Sequence, residues 1–126
     1  MKSDLPDRAF EFAKNIVKLC QSLDAKPGVP RTLANQLLRS GTSIGANIEE
    51  GQASQSNADF IHKYSIACKE ARETHYWLRL LATTKISTQE ELSTLTEECN
   101  ELIAILTSII KKLKNKQKRG RVKGEG

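Results

Sequence analysis

Two histidines, three cysteines and fifteen carboxylates are the chain's raw material for catalysis or metal binding. Their spacing assembles neither. A carboxylate-bridged di-iron bundle needs two Glu-x-x-His pairs and further inward glutamates. This sequence offers one Asp59-x-x-His62 at a helix start, and a His75 with no partner at matching spacing. Cys20, Cys68 and Cys99 are odd in number and never closer than 31 residues, which is no zinc-ligand pattern. Each falls on or beside an apolar stripe and reads as a buried free thiol of a reducing compartment. No G-x-S-x-G elbow, P-loop or dinucleotide-binding glycine fingerprint occurs. Glu49-Glu50 and Glu97-Glu98 read as solvated helix charges, His62 as solvated, and His75 as an interior histidine on an apolar stripe. No catalytic residue, metal or cofactor is therefore expected, and no small-molecule substrate is evident.

Two constellations remain. The first is a polar stripe, Gln36, Arg39, Ser43, Asn47 and Glu50, along one flank of a helical apolar face. Serine and asparagine inside a helix usually bond nearby backbone, and Glu70 and Glu73 offer carboxylates to Arg39 or Asn47. These six residues (Arg39, Ser43, Asn47, Glu50, Glu70, Glu73) are expected to form a structural network across a seam. The second is charge. Lys111 to Gly126 carries eight basic residues and one acid, net +7, while the preceding 110 residues sum to −2. The basic set is Lys111, Lys112, Lys114, Lys116, Lys118, Arg119, Arg121 and Lys123. Phosphate contact is the chemistry such a run offers.

Four amphipathic helices must position these groups. The first is expected from about Asp4, a capping residue, to Leu23, with Leu5, Ala9, Phe12, Ala13, Ile16, Leu19, Cys20 and Leu23 inward. The second runs from Pro30 to Glu50 and stops at Gly51. Its face Leu33, Leu37, Gly41, Ile44 and Ile48 includes a glycine, and Gly41 and Gly45 permit close approach of a neighbour. The third opens on a Ser56 cap with Asp59 three residues later and runs to about Thr84. Its stripe is Phe60, Tyr64, Ala67, Ala71, His75, Leu78 and Ala82. The fourth, capped by Ser87 or Thr88, repeats Leu92, Leu95, Cys99, Leu102, Leu106, Ile109 and Leu113 at heptad spacing. It is expected to fray past Lys114, where Gly120 and Gly124 interrupt like charges. The fold class is all-α, an up-down-up-down bundle over residues 1–115 with a basic, flexible tail over 116–126. Ile66, Trp77 and Leu80 lie opposite the core stripe and read as an oligomer contact. Phe10 and Val17 extend the apolar surface of the first helix.

Arg39, Ser43, Ile44, Ala46, Asn47, Ile48, Glu50 and Gly51 spell the pattern R-x-x-x-S-I-x-A-N-I-x-E-G, followed by a polar loop and a helix holding Phe60, Ala67, Glu70 and Glu73. In this the chain resembles the four-helix-bundle family of 23S ribosomal-RNA intervening-sequence proteins, over roughly Phe10 to Leu113. Gly45 stands where many members carry proline. The resemblance implies a left-handed bundle that assembles as a ring-like homopentamer, and implies no known activity.

Two functions fit these features. One is a non-catalytic protein associating with RNA or DNA through its basic residues. The other is a ring-forming interaction scaffold with no direct nucleic-acid role. No apolar run approaches the roughly 20 residues of a membrane span, and Met1-Lys2-Ser3-Asp4 leads directly into an amphipathic segment. A cytoplasmic location without membrane partners is expected.

Overall fold

Amphipathic periodicity becomes four helices, and no strand occurs among the described residues. The computed structural model describes residues 5–125, with side chains over 5–120. Helix α1 spans Leu5–Asp24, α2 Val29–Gln52, α3 Asn57–Thr83 and α4 Gln89–Glu125. The expected Asp4 cap lies outside the described residues. Gly28, at φ 94°, turns the chain into α2 in a left-handed conformation that suits glycine, and proline follows in the first turn. The Ser56 hydroxyl accepts from the Asp59 N–H at 3.1 Å, as expected for the α3 cap. At α4 the cap is Thr88: its Oγ1 accepts from the Glu91 N–H at 3.2 Å and donates to the Glu91 carboxylate at 3.1 Å. Each cap satisfies a backbone donor that the helix leaves orphaned.

Helix α1 packs on α2, α2 on α3, α3 on α4, and α4 returns to α1. Between them Phe12, Ile16, Leu37, Ile44, Ile48, Leu78, Leu81, Leu92, Leu102 and Leu106 are shut away from solvent. Each such side chain contributes about 1.5–3 kcal/mol of apolar burial. The α1–α2 contact is close because α2 has no side chain at two positions: Ile16 sits over Gly41 and Ala9 over Gly45.

Three expectations need correction. Gly51 does not terminate α2. It lies inside the helix, which ends at Gln52 with Ala53 as C-cap. A Cβ there would stand 2.7 Å from the Tyr64 ring, so the glycine admits α3 rather than ending α2. His75 is only half-buried, and Thr74 and Leu81 take the core positions on α3. Thr74 is tolerated there because its Oγ1 lies 2.9 Å from Ser40 Oγ and 2.8 Å from the Glu70 carbonyl oxygen, making a hydroxyl bridge from α3 to α2. Finally, α4 does not stop at Lys114 but continues to Glu125. Lysine, arginine and glutamine are good helix formers and make up most of the segment, with Asn115, Gly120, Val122 and Gly124 the weaker positions.

Candidate nucleic-acid interface

Helix α4 carries 37 residues, ten more than α3. At 1.5 Å per residue, that difference is about 15 Å of helix. Its second half makes the basic surface. Lys111, Lys112, Lys114, Lys116, Lys118 and Arg119 are all exposed, and no acidic residue lies between Lys111 and Gly120. Arg121 and Lys123 fall outside the residues whose side chains the structure describes. Lys111 and Lys114 also line a groove shared with Lys69 and Arg72 of α3. Those two α3 cations were not singled out from sequence, because only a helix pairing brings them beside the α4 run.

The polar stripe of α2 resolves into local bonds and bridges. Ser43 Oγ donates to the Arg39 carbonyl at 2.7 Å, and Asn47 Nδ2 donates to the Ser43 carbonyl at 2.8 Å. Arg39 reaches across to α3, with Nη1 3.3 Å from Glu70 Oε1 and Nη2 bonded to Glu73 Oε2. Glu50 takes a different partner, Lys63 Nζ at 2.8 Å. Trp77 is half-buried against the core of its own chain, and its indole N–H donates to Glu73 Oε2 at 3.0 Å. Tyr76 meets the indole edge-on at 5.1 Å. Ile66 and Leu80 are also half-buried. The large apolar side chains most open to solvent stand elsewhere: Phe10 and Val17 on α1, Val29 and Leu38 on α2, and Tyr76.

Glu98 is not a free surface charge. Arg8 of α1 grips it with two bonds, Nε to Oε2 at 3.0 Å and Nη2 to Oε1 at 2.6 Å, and adds Glu101 at 3.3 Å. The bond to Glu98 raises the guanidinium pKa above its ordinary value. Two of the three thiols, Cys20 and Cys99, are held protonated. Cys20 Sγ donates to the Ala34 carbonyl at 3.4 Å and Cys99 Sγ to the Ala71 carbonyl at 3.2 Å. Burial, reinforced by Asp24 and Glu98 respectively, pushes them up to about 11 and about 12. Neither is a nucleophile at neutral pH. Burial, then the neighbouring Arg79, lowers the pKa of His75. Among the described residues no three His, Cys, Asp or Glu side chains gather where a metal could sit. No helix there is long and apolar enough to cross a membrane.

A family model described as 23S rRNA-intervening sequence protein matches residues 1–108, stopping short of Lys111. Among solved structures, the chain is similar to a protein of unknown function from the S23 ribosomal protein family of Bacteroides thetaiotaomicron, determined at 1.70 Å. The two share 45% identity and a TM-score of 0.80, over 86% of this chain and 99% of that one. No curated protein matches.

Proposed function

The chain belongs to the 23S rRNA-intervening sequence protein family, and on that premise we propose that it is a non-catalytic, oligomeric bundle that associates with nucleic acid through the basic end of α4. The observation carrying this reading is the row of six exposed cations from Lys111 to Arg119, with no acid among them, on one continuous helix. Phosphates neutralised by such a row release their counterions, so affinity comes without base recognition. The helices alternate in direction in this reading, as an up-down-up-down left-handed bundle. The short connections and the sequence of neighbour contacts support that arrangement.

Assembly is the second half of the proposal. Phe10 and Val17 lie seven residues apart on one side of α1, 59% and 37% exposed, and Val17 shares a shallow depression with Leu38 of α2. An apolar strip of this kind suits burial against another copy. In a homopentamer, five basic α4 ends would act together and add avidity where they converge. We place the protein in the cytoplasm.

Deleting Lys116 to Gly126 tests the nucleic-acid half. About five phosphate contacts weaken duplex binding several hundred-fold between 50 and 200 mM salt. The truncated protein should lose most of that affinity and show a flatter salt dependence while its bundle stays helical. A truncated protein keeping both affinity and slope would refute the assignment to the end of α4. A full-length protein of oligomeric mass that binds no nucleic acid would instead support an interaction scaffold.

A further inference from the structure

The basic end of α4 does not act alone where it passes α3. A groove of about 550 Å³ runs between the two helices, a volume within the range of small-ligand clefts. Its banks carry cations on both sides: Lys69 and Arg72 from α3, Lys111 and Lys114 from α4. All four are exposed, none forms an ion pair among the described residues, and no carboxylate lines the groove. Cys68 and Ile110 contribute apolar surface between the banks, and Ser65 and Asn115 add neutral hydrogen-bonding groups.

We infer that this α3–α4 groove seats the sugar–phosphate backbone of a single nucleic-acid strand. The inference rests on the nucleic-acid reading above and adds where the strand lies. Three features select this occupant. Cations on facing banks hold a chain of repeated negative charge from two sides, which a row on one helix cannot do. The row continues out of the groove along α4 at Lys118, four residues beyond Lys114, so the positive track is linear and longer than a compact anion needs. The lining has no aromatic side chain, so bases have no stacking platform and the backbone is the part recognised. A duplex, far wider than a cleft between two helices, would touch only the rims.

Fluorescence anisotropy of labelled 20-nucleotide oligouridylate and oligothymidylate tests the inference, with a duplex of equal length alongside. The variant is Lys69→Gln with Arg72→Gln; Lys18→Gln with Lys26→Gln removes the same charge from exposed positions that do not line the groove. Each lost contact lowers the single-strand salt slope by about 0.7, so the groove variant should lose about 1.4 in slope and, with affinity unchanged at 1 M salt, about 25-fold in affinity at 0.1 M. The two single strands should respond alike and the duplex less. Affinity within twofold of the unaltered protein would overturn the groove while leaving the truncation result intact. An equal loss in the Lys18 and Lys26 control pair would reduce the effect to overall charge and overturn it too. Competition by polyglutamate as effective as by unlabelled oligouridylate would reassign the groove to acidic polypeptides. If the unaltered protein bound neither single strand but held the duplex, the groove alone would fall; if it bound none of the three, the underlying reading would fail together with the groove.

Discussion

Replacing each of three α2 glycines by alanine makes one chemical change in three different spaces, and the structure assigns the results different signs. In a helix interior the exchange should stabilise by about 1 kcal/mol through backbone entropy. At Gly45 the new methyl would meet Ala9 at 3.5 Å, an ordinary contact, so Gly45→Ala should show the full gain. At Gly41 it would stand 2.9 Å from Ile16 Cγ2 and 3.0 Å from Cγ1. Ile16 is fully buried and branched at Cβ, so it cannot swing aside. Overpacking costs about 1–3 kcal/mol, leaving a net loss of about 0–2 kcal/mol. At Gly51 the methyl would fall 2.7 and 2.8 Å from the Tyr64 ring, and that ring is only 2% exposed and stacked on Phe60 at 4.0 Å. With the helix ending one residue later, the propensity gain is small, and the net loss should reach about 1–3 kcal/mol. Urea titrations followed by circular dichroism, all at one protein concentration so that assembly does not shift the midpoint, would rank Gly45→Ala above the unaltered chain and Gly51→Ala below it. A Gly51→Ala protein as stable as the original would show that α3 does not press on α2 there. The Ile16→Ala background adds a cycle: with Ile16 truncated, Gly41→Ala should become stabilising. Additive effects would remove Ile16 as the cause.

Assembly and thiol chemistry give two more expectations. Five 14.0-kDa chains make a particle of about 70 kDa by light scattering. Val17→Glu should shrink it with helicity intact, while Trp77→Glu, which sets a carboxylate beside Glu73 and strips the core of the indole, should cost helicity as well. A full-sized Val17→Glu particle would clear the α1 strip of any role in assembly. Native Cys20 and Cys99 should resist iodoacetamide at pH 8 and react only in urea. Because their folded pKa values, about 11 and about 12, are raised above the ordinary thiol value, the linked stability is present below pH about 8.5 and is lost as pH climbs toward 11. A melting temperature flat from pH 8 to 11 would contradict that burial.

The starts of α3 and α4 and most of the core faces were legible because they depend on neighbours in sequence. Ser56 and Thr88 cap as their spacing to Asp59 and Glu91 requires, and Leu92 to Leu106 are buried at heptad positions. What escaped depends on pairing between helices. Gly51 reads identically as a stop or as a place of close approach, and only Tyr64 on another helix decides. Thr74 is polar and gives no core signal by itself; only Ser40 on another helix accounts for its burial. Arg8 and Glu98 are 90 residues apart, so their pairing leaves no mark on local patterning. The same holds for Lys69 and Arg72, which become part of a basic surface only through the adjacency of α4. The Arg39 bridge to Glu70 and Glu73 was one of the pairings the sequence offered, with Asn47 as the other partner for these carboxylates, and the structure gives both to Arg39.

The far half of α4 also has a helix–coil equilibrium of its own. Lys112 and Lys116, and Lys114 and Lys118, are like charges four residues apart, each pair opposing the helix by about 0.2–0.5 kcal/mol. Gly120 adds about 1 kcal/mol against it, and among the residues whose side chains are described none beyond Ile110 packs against the core. Cations near a helix C-terminus offset part of this through the dipole. Added salt screens the repulsion and favours the helix, yet the same salt would weaken the polyanion contact proposed for it. Ionic strength therefore pushes order and attraction in opposite directions. A strand of phosphates bound as proposed would escape that conflict: it would neutralise the lysines itself, so the segment would be most helical when occupied.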